Sequence, residues 1–229
     1  MRTKVFFETG QTLVETVVGI FILTVGISTA LGLAVSMYNV SSSAVKQVVA
    51  AGLAREGVEA IYNMRATNWL KGSTSANCYN YTDPSGTALC HADWLTGSGG
   101  TTYSLNPTGG PRSYVLDVNE DSTDAQAVWA LSQQPVGNPQ FRLYYDEDVS
   151  TGVLYKTTNA SAVASDYYRE IVLEVQPFVS TGGAALQNRL KVVSRVWWND
   201  RGCPASATWP SSGKCRIELI TYMTNWRNY

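Results

Sequence analysis

The sequence predicts an α+β fold: a long N-terminal α-helix, membrane-spanning in its first half, packed on an antiparallel β-sheet head with loop excursions. Three observations carry this. An uncharged apolar run over 16–37 merges, with no proline, into an amphipathic segment reaching about Arg65. A stretch rich in Gly, Ser, Thr, Asn and Pro then occupies about 71–111. After it come successive short segments in which apolar and polar residues alternate, which is the strand period.

The N-terminal stretch comes first in the chain and in importance. Between Glu15 and Lys46 no side chain is charged. The run over 16–37 is long enough to cross the hydrocarbon core of a bilayer, for which roughly 20 residues suffice. Ahead of it lie Arg2, Lys4 and Glu8, and Glu15 stands in the first turn of the apolar helix. A carboxylate at that depth is costly unless paired, so it marks a function. Three readings fit the stretch. One is a plain stop-transfer anchor. Another is a secretory signal cut after Ala34-Val35-Ser36, although its acidic residues and its length fit such a signal poorly. The third is a cut between Gly10 and Gln11 that leaves the apolar helix on the mature chain.

On that third reading, Gly10-Gln11-Thr12-Leu13-Val14-Glu15 followed by an apolar helix resembles the N-terminal signal of type IV pilins and pseudopilins. The resemblance implies that a prepilin peptidase cuts after Gly10 and methylates the new N-terminus at Gln11. It makes Glu15 the glutamate that pairs with an N-terminal amine, its own or that of the next subunit. The physics of such a pair is favourable, because two buried charges that neutralise each other cost far less than either alone. Gly26 with Ala30, and Ser28 with Gly32, are small pairs suited to close helix packing. The helix-weakening proline often found in the family near Gly32 is absent, though glycine itself lowers helix propensity there.

Past the run, Val45, Val49, Leu53, Val58 and Ile61 recur at helical spacing against Lys46, Arg55, Glu56 and Glu59. The resulting organisation is a leader over 1–10, a helix over 11–66 with a transmembrane or filament-core part over 11–37, and an extracellular head over 67–229. Thr67-Asn68 reads as the turn that ends the helix. The segment from Ala54 to Arg65 also resembles the matching helix of large minor pilins. Strands are predicted at 113–118, 141–145, 153–158, 167–178, 190–199 and 216–226, joined as an antiparallel meander.

The four cysteines form two local pairs of identical spacing, Cys78 with Cys90 and Cys203 with Cys215. Arg2 and Lys4 put the N-terminus in the cytoplasm and the head outside, where disulfides form. Zinc is the rival, but no Cys-x-x-Cys spacing supports it. The second pair frames the loop between the last two strands, as in the disulfide-bounded C-terminal region of type IV pilins.

At 229 residues, 15% charged and 45% hydrophobic, with a net charge of −1, the chain suits one folded head and gives no steering toward nucleic acid. Its one histidine, His91, lies beside Cys90 with no nucleophile motif, so catalysis and a cofactor are not expected. Asp117-x-Asn119-x-Asp121 and Asp146-x-Asp148-x-Ser150 start like calcium loops but lack the glycine and closing glutamate, so they read as turns. Sequons at Asn39, Asn80 and Asn159 carry no argument.

Arg189, Lys191 and Arg195 alternate on one strand with Val193 and Trp197, a basic stripe with an aromatic that could suit nucleic acid. A hairpin about Gly182-Gly183 would instead oppose Glu174 to Lys191 and Glu170 to Arg195, with Val172 on Val193 and Tyr168 on Trp197. The stripe is then neutralised, and nucleic acid is not expected as a partner. The expected partners are prepilin peptidase, other pilin subunits, the pilus assembly platform, and membrane lipid before assembly. The resemblance implies a structural, non-enzymatic subunit of an extracellular filament, a minor one given its bulky head. A pseudopilin of a type II secretion-like machine, or a membrane-tethered binding domain for DNA or a surface that never polymerises, are the alternatives.

Overall fold

The computed structural model describes residues 11–71, 94–95, 103–107, 109–118, 129–134, 140–148, 152–156, 163–178, 187–203 and 206–224. The leader 1–10, Cys78, Cys90, His91, the turn at Gly182-Gly183 and the centres of both calcium-like loops fall outside them. The elements are α1 (Gln11–Lys71), β1 (Arg112–Val118), β2 (Trp129–Gln133), β3 (Arg142–Asp148), β4 (Gly152–Lys156), β5 (Val163–Phe178), β6 (Gln187–Trp198) and β7 (Arg216–Met223). The chain divides into two units, Met1–Lys46 and Gln47–Tyr229.

In the first unit α1 is apolar on every side. From Leu13 to Val40 its large side chains are exposed, Phe21 at 66% and Leu23 at 62% among them. It is long and apolar enough to cross a membrane, and none of its most apolar window is buried in the protein. Hydroxyls near its middle are spent internally: Ser28 Oγ donates to the Thr24 carbonyl at 2.7 Å, and Thr24 Oγ1 to that of Phe21 at 2.8 Å. Back-bonding of this kind lets Ser and Thr enter hydrocarbon without an unmet donor. Since α1 includes Gln11, Glu15 falls just past the first turn, about one turn on from Gln11.

In the second unit α1 packs on a seven-stranded antiparallel sheet. The helix does not stop near residue 66 but runs to Lys71. Asn68 does not turn the chain. Its amide is buried, donating to the carbonyls of Trp94 at 3.1 Å and Tyr103 at 2.7 Å, while its Oδ1 accepts from Tyr103 N at 2.7 Å. Tertiary partners thus replace the local backbone bonds that make Asn a helix breaker.

The buried stripe of α1 is Ala50, Leu53, Ala54, Gly57, Ala60, Ile61 and Met64. It keeps Leu53 and Ile61 of the stripe the sequence suggested and departs from the rest, for Val45 is exposed and Val49 and Val58 only half-buried. Small residues win because the helix lies close on the sheet. A Cβ on Gly57 would stand 2.7 Å from both Ile171 Cδ1 and Ser194 Oγ.

The sheet differs from a simple meander. β5 pairs with β6 along one edge, and its other edge is shared, β3 taking residues 163–168 and β1 residues 171–173. β2 and β4 are added outside β1 and β3, and β7 outside β6. β2 is a strand the sequence reading missed: its five residues are no more than half-buried and lack a clean alternation. The main core, with Ile61, Met64, Leu116, Ile171, Leu173, Leu190 and Val192, lies between helix and sheet.

Candidate functional site

The β5–β6 register is the one the alternation predicts, residue for residue: Glu174 opposite Lys191, Glu170 opposite Arg195, Val172 opposite Val193 and Tyr168 opposite Trp197. Lys191 Nζ reaches Glu174 at 3.4 Å, and Arg195 reaches Glu170 at 3.3 Å and Glu218 on β7 at 2.8 Å. Glu170 also accepts from Ser113 Oγ at 2.6 Å. Burial alone would lower the Arg195 pKa. The hydrogen bonds and charges of Glu218 and Glu170 outweigh it and raise that pKa. Lys191 and Arg195 are therefore matched by carboxylates, whereas Arg189 of the same stripe meets, among the described residues, only the Gln176 amide oxygen at 3.1 Å and the Tyr222 ring.

The aromatic of the stripe is also unavailable for stacking on a base. Trp197 is 2% exposed, in a second small core with Val115, Phe141 and Tyr168 on that outer face. Its ring stacks on Tyr168 at 5.5 Å and meets Trp209 edge-on at 5.7 Å. The cover comes from Ser206 and Trp209, in the segment closed by the Cys203–Cys215 disulfide. Trp197 Nε1 donates to the Ser206 carbonyl at 2.8 Å, and the guanidinium of Arg216 to that of Pro210 at 2.7 Å. Arg195 and Arg216 lie over the Trp209 ring at 5.3 and 5.4 Å. Gly202, at φ 80°, supplies the left-handed turn that starts the loop. The disulfide thus pins a lid over apolar surface that a two-layer fold would leave bare.

On the opposite face the sequence reading missed a charge. Arg169 has a fully buried side chain that donates to Glu56 of α1 at 2.9 Å and to the Leu116 carbonyl at 3.1 Å. The signal was present: the alternation that puts Glu170 outside puts Arg169 under the helix. A buried cation needs a partner, and Glu56 on the facing helix is the acid it meets.

Glu15 lies on the exposed apolar helix of the first unit, and of Gln11 the structure describes only the helical backbone. Among the described residues no cluster of three or more His, Cys, Asp or Glu side chains could hold a metal ion. Asp117 lies in β1 and Asp146 and Asp148 in β3, where the sequence reading expected turns. No protein-family model, curated protein or solved structure matches the chain.

Proposed function

We propose that the chain is a type IV pilin-like structural subunit. Prepilin peptidase cuts it between Gly10 and Gln11 and methylates Gln11. It is held in the cytoplasmic membrane as a single pass, N-terminus inside and head outside, and is then built into an extracellular filament as a minor component. The observation that carries this reading is the two-part helix α1. Its first part is apolar and exposed on all sides with one acid, Glu15, and its second part is the spine of a sheet-bearing head. An anchor alone would explain the apolar part but not the Gly-Gln-Thr-Leu-Val-Glu motif before it.

Glu15 would serve as the assembly charge. Next to an N-terminal amine in a non-aqueous surround, its carboxylate neutralises a charge that is otherwise unpaired, so leaving lipid and entering the filament become one event. The role is structural and needs no cofactor. Intact mass of the membrane-extracted protein tests the processing step. A chain starting at Gln11 supports the reading, and one that keeps 1–10 or starts at Met37 sinks it. Glu15→Ala should still be cleaved but enter sheared filaments less, while total protein is unchanged.

A further inference from the structure

The layer between α1 and the sheet holds two apolar clusters with a polar belt between them. One cluster joins Ala50, Leu53 and Ala54 of α1 to Tyr167, Val196 and Trp198. The other joins Ala60, Ile61 and Met64 to Ile171, Leu173, Leu190 and Val192. At the belt Arg169 stands opposite Val196, and Ser194 opposite Ile171, beneath Glu56 and Gly57 of the helix. The two clusters hold α1 unequally. Past the belt α1 buries Ile61 and Met64 completely, and Asn68 adds three hydrogen bonds to Trp94 and Tyr103. Before it α1 buries Leu53 and two alanines, with Val49 half-buried beside them. Beneath the belt and the earlier part lie three buried donors that meet no acceptor among the described residues: Trp198 Nε1, Ser194 Oγ and Arg169 Nε. None of these residues is more than 2% exposed. A donor buried without an acceptor loses its hydration for nothing in exchange.

We propose that α1 is docked in two steps, and that its stretch over 47–57 is a strap that lifts from the sheet while 60–68 stays in place. Lifting the strap uncovers few large side chains of the helix. It parts Glu56 from Arg169, but into water, where each charge is solvated. It also brings water to Trp198 Nε1, Ser194 Oγ and Arg169 Nε, which recovers part of the cost. Exposure of the Trp198 ring opposes release, so the lifted form is a minor state of the folded head. Lifting the later part has no such recovery, because it bares Ile61 and Met64 and breaks the bonds of Asn68. Gly57 marks the boundary, and as a poor helix former it lets the chain bend there. The helix runs unbroken from the strap back into its apolar part, so a pull along α1 reaches the strap before the docked end. The inference goes beyond the pilin reading and does not rest on it, since a plain anchor would load the strap in the same way.

Hydrogen exchange on the full-length chain in detergent tests the strap, with the Trp198 indole N–H followed beside the backbone amides. A helical stretch without packing is marginal in water, so lifting appears as exchange. Amides over 51–57 should exchange about tenfold or more faster than those over 61–67, through openings that leave β5 and β6 protected. The Trp198 indole N–H should follow the faster set. Ser194→Ala removes one unmet donor without adding volume under Gly57. It should slow the faster set about fivefold and leave the slower set unchanged, the low end of what an unmet donor costs. Equal rates in the two sets overturn the proposal, because helix and sheet then open as one unit. A Ser194→Ala variant that leaves the faster set unchanged, or speeds it, also overturns it, because the belt then holds the helix instead of easing its release.

Discussion

The two parts of α1 meet their surroundings in opposite ways. Over Leu13 to Val40 the helix carries Val, Leu, Ile and Phe all round and buries none of them. Over Ala50 to Met64 it buries one stripe, mostly Ala and Gly, and shows Arg55 and Glu59 on the outside. Burying large side chains is worth about 1.5–3 kcal/mol each, so the first part cannot stand in water at that exposure. The second part spends side-chain volume differently: small residues bring the helix axis close, and the sheet contributes the bulk through Ile171, Leu173, Leu190 and Val192. One continuous helix is thus fitted to two solvents. Changes in one part should leave the other untouched.

The largest effect expected is at the buried pair. Glu56→Ala leaves Arg169 as an uncompensated buried cation, and breaking such a pair costs about 3–5 kcal/mol. Glu56 is partly exposed, so the lower end applies. Arg169→Met, which removes the charge and keeps the volume, should cost clearly less. Denaturant unfolding of both variants decides it, and equal losses would mean that packing, not charge, sets the value of Arg169.

In the first part, Ile22→Arg should weaken membrane partition by about 2.5–3.5 kcal/mol while the head unfolds as before. Carbonate extraction alongside thermal unfolding reads both. A shifted head transition would break the independence of the two parts.

Gly57→Leu comes next. Its side chain would be forced onto Ile171 and Ser194, and overpacking of this kind costs about 1–3 kcal/mol, part of it recovered because glycine is a poor helix former. Membrane extraction should not change. An unaltered unfolding midpoint would mean that the sheet yields at the point of closest approach.

What was legible in the chain follows the same division. The first part declares itself by composition alone, since it is apolar, uncharged and long enough to span hydrocarbon. The β5–β6 register was legible because charged and apolar residues alternate on both strands, and a slip of one residue would bury the charges. Of the helix stripe only Leu53 and Ile61 were legible, because Ala and Gly carry little periodic signal and the larger valines beside them point elsewhere. Asn68 was misread because its buried partners near Trp94 and Tyr103 are 26 and 35 residues away. β2 stayed hidden because an edge strand that buries little has no face to mark.

The smallest effect expected sharpens the contrast at the outer surface of α1. Arg55 and Glu59 pair one turn apart at 2.8 Å, with side chains 78% and 63% exposed. An i,i+4 pair so open to water contributes about 0.2–0.5 kcal/mol and weakens as salt screens it. Arg55→Ala should therefore shift the unfolding midpoint only slightly at low salt, and the difference from the parent should vanish near 1 M salt. Alanine also favours the helix, which reduces the loss further. A cost well above this range would mean that the pair is shielded from water, as a subunit packed on this face would make it. A comparison between detergent-dispersed protein and assembled material then locates that contact. The first part of the helix has no equivalent control, because it presents no charged pair for salt to screen.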